Sequence, residues 1–244
     1  GLRLARALCA RPAAPPLVST QQHGDVCVVR LDDGKMNAFS FQMLEEVHRA
    51  LDDAQTAGAV VLTGNSRCFS AGFDLKVMGS APSADAARLL QEGGELLFRL
   101  LQFPRPLVMA VPGHSMALGA IVLLAGDLRI GCDDLAKCKV GLNEVHIGMP
   151  MPRFGMEIAR WRMSPPHLTR AVTLGQLYKP SEAVEVGYLD MLVPHLDLET
   201  RAIEMAQQLS PLGKPFHTTK MFDRGALLEK CQEVLARDVA DFGP

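Results

Sequence analysis

The stretch Phe69-Ser70-Ala71-Gly72-Phe73-Asp74-Leu75-Lys76 joins the end of an apolar segment to a small-residue turn and then to a helix start. Small residues at such a junction let a backbone N–H come close to an anionic oxygen. A second segment of the same design follows, Gly113-His114-Ser115-Met116-Ala117-Leu118-Gly119-Ala120, where a strand again enters a turn poor in bulky side chains and then a helix. Two turns of this kind facing one oxygen make an oxyanion hole, which stabilises charge developing on a carbonyl or thioester oxygen without a titratable group. The pair predicts acyl chemistry.

Outward from these turns, the chain alternates strand and helix patterns. Residues 25–31 read as a strand closed by Asp32-Asp33-Gly34-Lys35, and Ser40 is placed to cap a helix carrying Met43, Leu44, Val47 and Leu51 at helical spacing. Residues 59–63 form a short buried strand, a helix begins near Ser83 and stops before Pro104, and residues 107–111 make the next strand. This order predicts an α/β fold of strand–helix units. After Pro194 the pattern turns helical, with helices expected over 198–209 and 226–239, separated by Ser210-Pro211-Leu212-Gly213-Lys214-Pro215.

The chain has 244 residues and is 48% apolar, enough for one sizeable core. A formal charge of −2 and an aromatic content of 5% leave neither electrostatic attraction nor stacking platforms for nucleic acid. The longest apolar run, residues 116–126, is too short to cross a bilayer and reads as a buried helix, so no membrane partner is expected. Cys9, Cys27, Cys68, Cys132, Cys138 and Cys231 form no Cys-x-x-Cys pair and read as reduced small hydrophobes, with no metal site expected. The first nineteen residues carry Arg3, Arg6 and Arg11 and no acid. That composition fits an Ala/Arg/Pro-rich extension of a cytoplasmic protein, the expectation adopted here, or a transit-derived segment of a mitochondrial matrix protein.

In order and spacing, five segments resemble the crotonase (enoyl-CoA hydratase/isomerase) superfamily. They are Asp33-Gly34-Lys35-Met36-Asn37-Ala38-Phe39, residues 60–76, residues 104–127, Gly141-Leu142-Asn143-Glu144, and Ser181-Glu182-Ala183-Val184-Glu185-Val186-Gly187. The resemblance implies a crotonase-like (ClpP/crotonase) spiral of β-β-α units over residues 25–194, preceded by an N-terminal extension (1–24) and followed by a helical C-terminal region (195–244). It also implies a homotrimer or a dimer of trimers. The implied substrate is an acyl-CoA thioester, with coenzyme A as part of that substrate and no other cofactor.

Carried over by position, the oxyanion donors implied are the N–H groups of Phe73 and Leu118. The family usually has glycine at the second position, so the Leu118 side chain must point away or narrow the pocket. The resemblance implies that Lys35, Met36, Ala38, Ala71, Phe73, Asp74, Leu75, Lys76, Gly119 and Ile121 bind the substrate and its coenzyme A. Hydratases of the family place two glutamates at the reacting carbons; here the first position is Ile121 and the second is Glu144. Moving a double bond from C3 to C2 needs one base that takes a proton at C2 and returns it at C4, whereas hydration is served by two carboxylates. The resemblance therefore implies an enoyl-CoA isomerase with Glu144 as shuttle base. Its alternatives are an enoyl-CoA hydratase or a catalytically silent crotonase-like protein. Met149 and Phe154 are expected to line an apolar acyl pocket, and His146 and Glu95 are reserve acid–base candidates.

A rival from another class is written in Gly113-His114-Ser115-Met116-Ala117, close to the Gly-x-Ser-x-Gly nucleophile elbow and followed by Asp190 and then His195 or His217. The motif departs from the elbow at Ala117, and a serine esterase using Ser115 is the remote alternative.

Overall fold

The computed structural model describes residues 15–79, 82–135 and 137–243. Cys9 and most of the Arg-bearing first nineteen residues therefore lie outside the described residues. Strands β1 (Val18–His23) and β2 (Val26–Leu31) form an antiparallel hairpin, turned at Gly24 with φ 61°. Helix α1 (Phe41–Asp53) begins at Ser40, whose side chain accepts the Met43 N–H at 3.2 Å. The strands β3 (Ala59–Thr63), β5 (Leu107–Ala110), β7 (Leu128–Cys132) and β9 (Met191–Val193) extend this sheet in parallel, in the order β1-β2-β3-β5-β7-β9.

A second, three-stranded parallel sheet holds β4 (Cys68–Ser70), β6 (His114–Met116) and β8 (Val140–Gly141). Consecutive strands therefore divide between the two sheets: β3, β5 and β7 enter the large one, and β4, β6 and β8 enter the small one. The units close with α2 (Leu75–Met78) and α3 (Ala84–Leu101), α4 (Leu118–Leu124), and α5 (Arg153–Arg162). This is the crotonase-like spiral of β-β-α units. The small sheet places the carboxyl ends of β4, β6 and β8 side by side, and carboxyl ends of parallel strands are where α/β folds put their ligands.

The period of two along β2 sorts side chains onto opposite faces. Cys27, Val29 and Leu31 join the main core with α1, α3 and α4, while Val26 and Val28 face Leu198, Ala202 and Ala206 of α7 (Leu198–Leu209). All five residues of β3 are buried, as a strand covered on both faces requires. Helix α6 (Pro180–Val186) precedes β9.

Two segments differ from the sequence expectation. The extension expected over 1–24 contains β1, a mostly exposed edge strand of Val-Ser-Thr-Gln-Gln-His whose polarity hides it from a hydrophobic pattern. The final helix α8 spans Gly213–Phe242, beginning well before residue 226. Pro215 sits in its first turn, where the missing N–H would have had no intrahelical partner. Leu228, Cys231, Val234 and Leu235 of α8 enter the main core. Buried Asp238 accepts the Phe154 N–H at 3.1 Å, capping α5 from a distance, and pairs with Arg153 at 3.0 Å. The C-terminal region is thus packed into the core on both sides of the large sheet.

Candidate active site

The turn after β4 is fixed by the segment before α1. Asn37 donates to Cys68 O (2.9 Å) and Phe69 O (3.1 Å), Ser70 Oγ donates to Asn37 O (2.7 Å), and Ala71 N–H donates to Met36 O (2.9 Å). Phe39 N–H donates to Gly72 O and Asp74 N–H to Phe39 O, so Phe73 turns its own N–H away from Phe39. Among the described residues that N–H has no partner.

At the second turn Ala117 adopts φ 50° and ψ −128°, a backbone state that stores roughly 1–3 kcal/mol in a residue with a Cβ. Its N–H is held by Gly141 O at 3.0 Å, and the next residue, Leu118, opens α4 with an N–H that has no backbone partner among the described residues. A Cβ on Gly72 (φ 98°) would stand 3.2 Å from the Leu118 nitrogen and 2.8 Å from Ala117 Cβ. Only glycine allows the two turns to meet this closely. Gly119 serves the same approach from the other side, since a Cβ there would lie 2.3 Å from Ser70 O.

The Leu118 side chain is buried and packs with the Phe73 ring against Gly93 of α3. It points away from the site, so leucine at this position leaves the space in front of its N–H open.

Between the strand ends lies a cavity of about 180 Å³ lined by Ala71, Phe73, Leu75, Ile121 and Glu144, with Met116 and Met149 among its apolar walls. Asn143 adds one polar side chain. A neighbouring cavity of about 360 Å³ shares Met78, Ile147 and Met149 with it and runs to Asp241 and Phe242 at the end of α8. Glu144 opens a 3-10 turn (Glu144–Ile147) immediately after β8 and is only 6% exposed. Burial pushes its carboxyl up to about 7, and among the described residues its Oε2 has no hydrogen-bond partner. A carboxyl so placed titrates near neutrality, where a general base works best.

The remaining expected residues are distributed as follows. Lys35 and Lys76 are exposed, Met36 contributes its carbonyl to the Ala71 turn, Ala38 is half-buried beside it, and the Asp74 side chain caps Lys76 N–H at 3.0 Å. None of these five residues lines the cavity, and neither does Gly119. Phe154 is core, 0% exposed, while Met149 lines both cavities. His146 faces outward and bonds Leu174 O at 2.9 Å, and Glu95 is exposed on α3 beside Gln91. Met78, Leu90, Met116 and Asn143 were not singled out by sequence reading; nothing but their place in the fold distinguishes the first three from core.

The esterase constellation does not assemble. Asp190 is held by Arg129 in a bidentate pair, His195 Nδ1 lies 3.5 Å from Cys132 Sγ, and buried Ser115 Oγ has no partner.

Over this spiral of β-β-α units a family profile described as enoyl-CoA hydratase/isomerase matches residues 21–238. The chain belongs to that family. It is 29% identical to human mitochondrial enoyl-CoA delta isomerase 1 over 231 residues, covering 93% of this chain and 76% of the relative. The crystal structure of human mitochondrial delta3-delta2-enoyl-CoA isomerase superposes with a TM-score of 0.87 at 29% identity, covering 93% of this chain and 90% of that one. A Mycobacterium marinum enoyl-CoA hydratase superposes with a TM-score of 0.88 at 33% identity, covering 93% of this chain and all of the other.

Proposed function

We propose that the protein shifts the double bond of a 3-enoyl-CoA to the 2-position. The single observation that carries this reading is the count of carboxylates at the cavity: Glu144 on one wall and the apolar side chain of Ile121 on another. Ionised Glu144 removes a proton from C2. The electron pair delocalises onto the thioester oxygen, where the N–H groups of Phe73 and Leu118 receive the negative charge. Collapse of the dienolate then takes the same proton back from Glu144 at C4, leaving the C2=C3 bond and a carboxylate ready for the next cycle. Each oxyanion donor of this type contributes roughly 3–4 kcal/mol to the transition state.

The adjoining cavity behind Met78 and Met149 gives the acyl tail an apolar path, and coenzyme A enters only as part of the substrate. A homotrimer or a dimer of trimers is proposed from the family alone, and sedimentation velocity tests it. Hydration is the second reading, favoured by the polar Asn143 side chain in the same cavity, which gives a water a partner beside Glu144. Incubation with 3-enoyl-CoA and 2-enoyl-CoA of equal chain length separates the readings. Faster turnover of the 3-enoyl ester is expected, faster hydration of the 2-enoyl ester would overturn the isomerase assignment, and binding without turnover of either marks a silent member.

A further inference from the structure

Glu144 meets the cavity on one side and a seam of buried hydroxyls on the other. Tyr188 follows α6, where Gly187 at φ 100° ends the helix and the Tyr188 N–H returns to Ala183 O at 2.9 Å. The residue is 0% exposed and does not line the cavity. Its hydroxyl lies against the backbone N–H of Leu142, two residues before Glu144, without completing a bond to it. Its ring tilts against Tyr178 with centroids 6.0 Å apart, and Tyr178 is fixed to Val140 by two backbone hydrogen bonds of 2.9 Å.

Three buried oxygens here have no partner among the described residues: Glu144 Oε2, Tyr188 OH and, on the ring packed beside Tyr188, Tyr178 OH. Leaving one such atom unpaired costs about 1–3 kcal/mol, so three of them require an explanation. The chemistry of Glu144 and Tyr188 is complementary, because an ionised carboxylate only accepts whereas a phenol donates. A buried water with two to four polar partners joins such groups.

We infer that Tyr188 is a positioning residue for Glu144: through water in this seam its hydroxyl donates toward Oε2, orients the carboxylate and favours its charged form, leaving the other oxygen for the substrate proton. This rests on the reading of Glu144 as the base. Glu144 is the foremost charge acting on buried Tyr188. Ile121, Met149 and Pro152 contribute no charge from the cavity walls, and His146 on the same turn points outward to Leu174 O.

The test is Tyr188→Phe, which removes one hydroxyl and keeps the ring. In protein carrying ¹³C at the glutamate Cδ, the Glu144 resonance is assigned by its loss in Glu144→Gln and its titration midpoint is read directly. Loss of the donor moves that midpoint up by about one pH unit, a tenfold change in acid dissociation, with kcat for 3-enoyl-CoA down about tenfold and KM little changed. An unmoved midpoint overturns the inference, including when kcat falls, because that pattern marks a merely structural role. If Tyr188→Phe does not fold, 3-fluorotyrosine at position 188 takes its place: it keeps the ring and makes the hydroxyl a stronger donor, so the midpoint moves down, and an unmoved midpoint there overturns the inference equally. Failure of the base assignment itself shows separately, as turnover surviving in Glu144→Gln.

Discussion

Asp127, half-buried after α4, and Glu144, buried after β8, are carboxylates that the fold treats oppositely. Asp127 Oδ1 accepts from Arg224 at 2.6 Å, and its Oδ2 accepts from Lys220 at 2.9 Å and from the Leu107 N–H at 2.8 Å. It anchors α8 to the loop between α4 and β7. Glu144 is the more deeply buried, yet among the described residues no cation pairs with it and one oxygen is unpartnered. A neutralised carboxylate fastens elements together; an isolated one is left with a proton affinity suited to chemistry. The difference comes from the neighbours, since both side chains carry the same functional group.

The largest expected effect removes the isolated carboxylate. Glu144→Gln keeps the fold and acyl-CoA binding but lowers turnover of 3-enoyl-CoA by about 10²–10⁴-fold, read by the rise of the 2-enoyl product. Breaking the other member moves stability instead. Asp127→Asn strands Lys220 and Arg224 without a counter-ion and costs about 3–5 kcal/mol in urea unfolding, while turnover per folded molecule is retained. Lys220 feels that environment already, its ammonium pushed down to about 8 by burial.

A third experiment follows the proton. Glu144 ionises near the ordinary value of 4.5 in the unfolded chain and near 7 when folded, so the unfolded state binds fewer protons between these limits. Its contribution to stability is therefore greatest below pH 4.5, declines as pH rises to about 7 and is constant above. The decline amounts to about 3 kcal/mol. Glu144→Gln lacks it, so the variant gains on the wild type by about that amount between pH 4.5 and 8 in paired unfolding curves. Over the same range kcat/KM of the wild type rises with pH and levels off above 7. The smallest effect belongs to a carboxylate that is paired but exposed: Asp241, 60% exposed beside Arg153, where Asp241→Asn changes stability by less than about 1 kcal/mol, an effect erased by 0.5 M salt.

Much of the frame was legible in the sequence. Ser40 was readable as a cap because Ser oxygens satisfy helix N–H groups, and it does so toward Met43; Ser83, near which a helix start was expected, does the same toward Ala86. Residues 59–63 and 107–111 were readable because a strand buried on both faces is continuously apolar. The small sheet was not, since β4 and β6 have three residues each and β8 two, too few to show a period. Glu144 was reached through family resemblance, as its isolation depends on neighbours from α4 and the segment before α5. The direction of the Leu118 side chain depended on Gly93, a residue on another helix with no local sign of its role. Tyr188 gave no sequence signal, because its contact with Tyr178, which pairs with Val140 of β8, exists only in the fold.

The proximity of Gly72 to Leu118 carries a consequence for how such sites drift. Both electrophilic contacts proposed here use main-chain nitrogen, which nineteen of the twenty amino acids supply, so the chemistry constrains the conformation at residue 118 and not its side-chain identity. Leucine can occupy that position so long as α3 offers it a hollow at Gly93. Searches keyed to side-chain identity will score residue 118 as a mismatch while the reactive group is intact, and the information they miss is written instead in small residues at 72, 93 and 119.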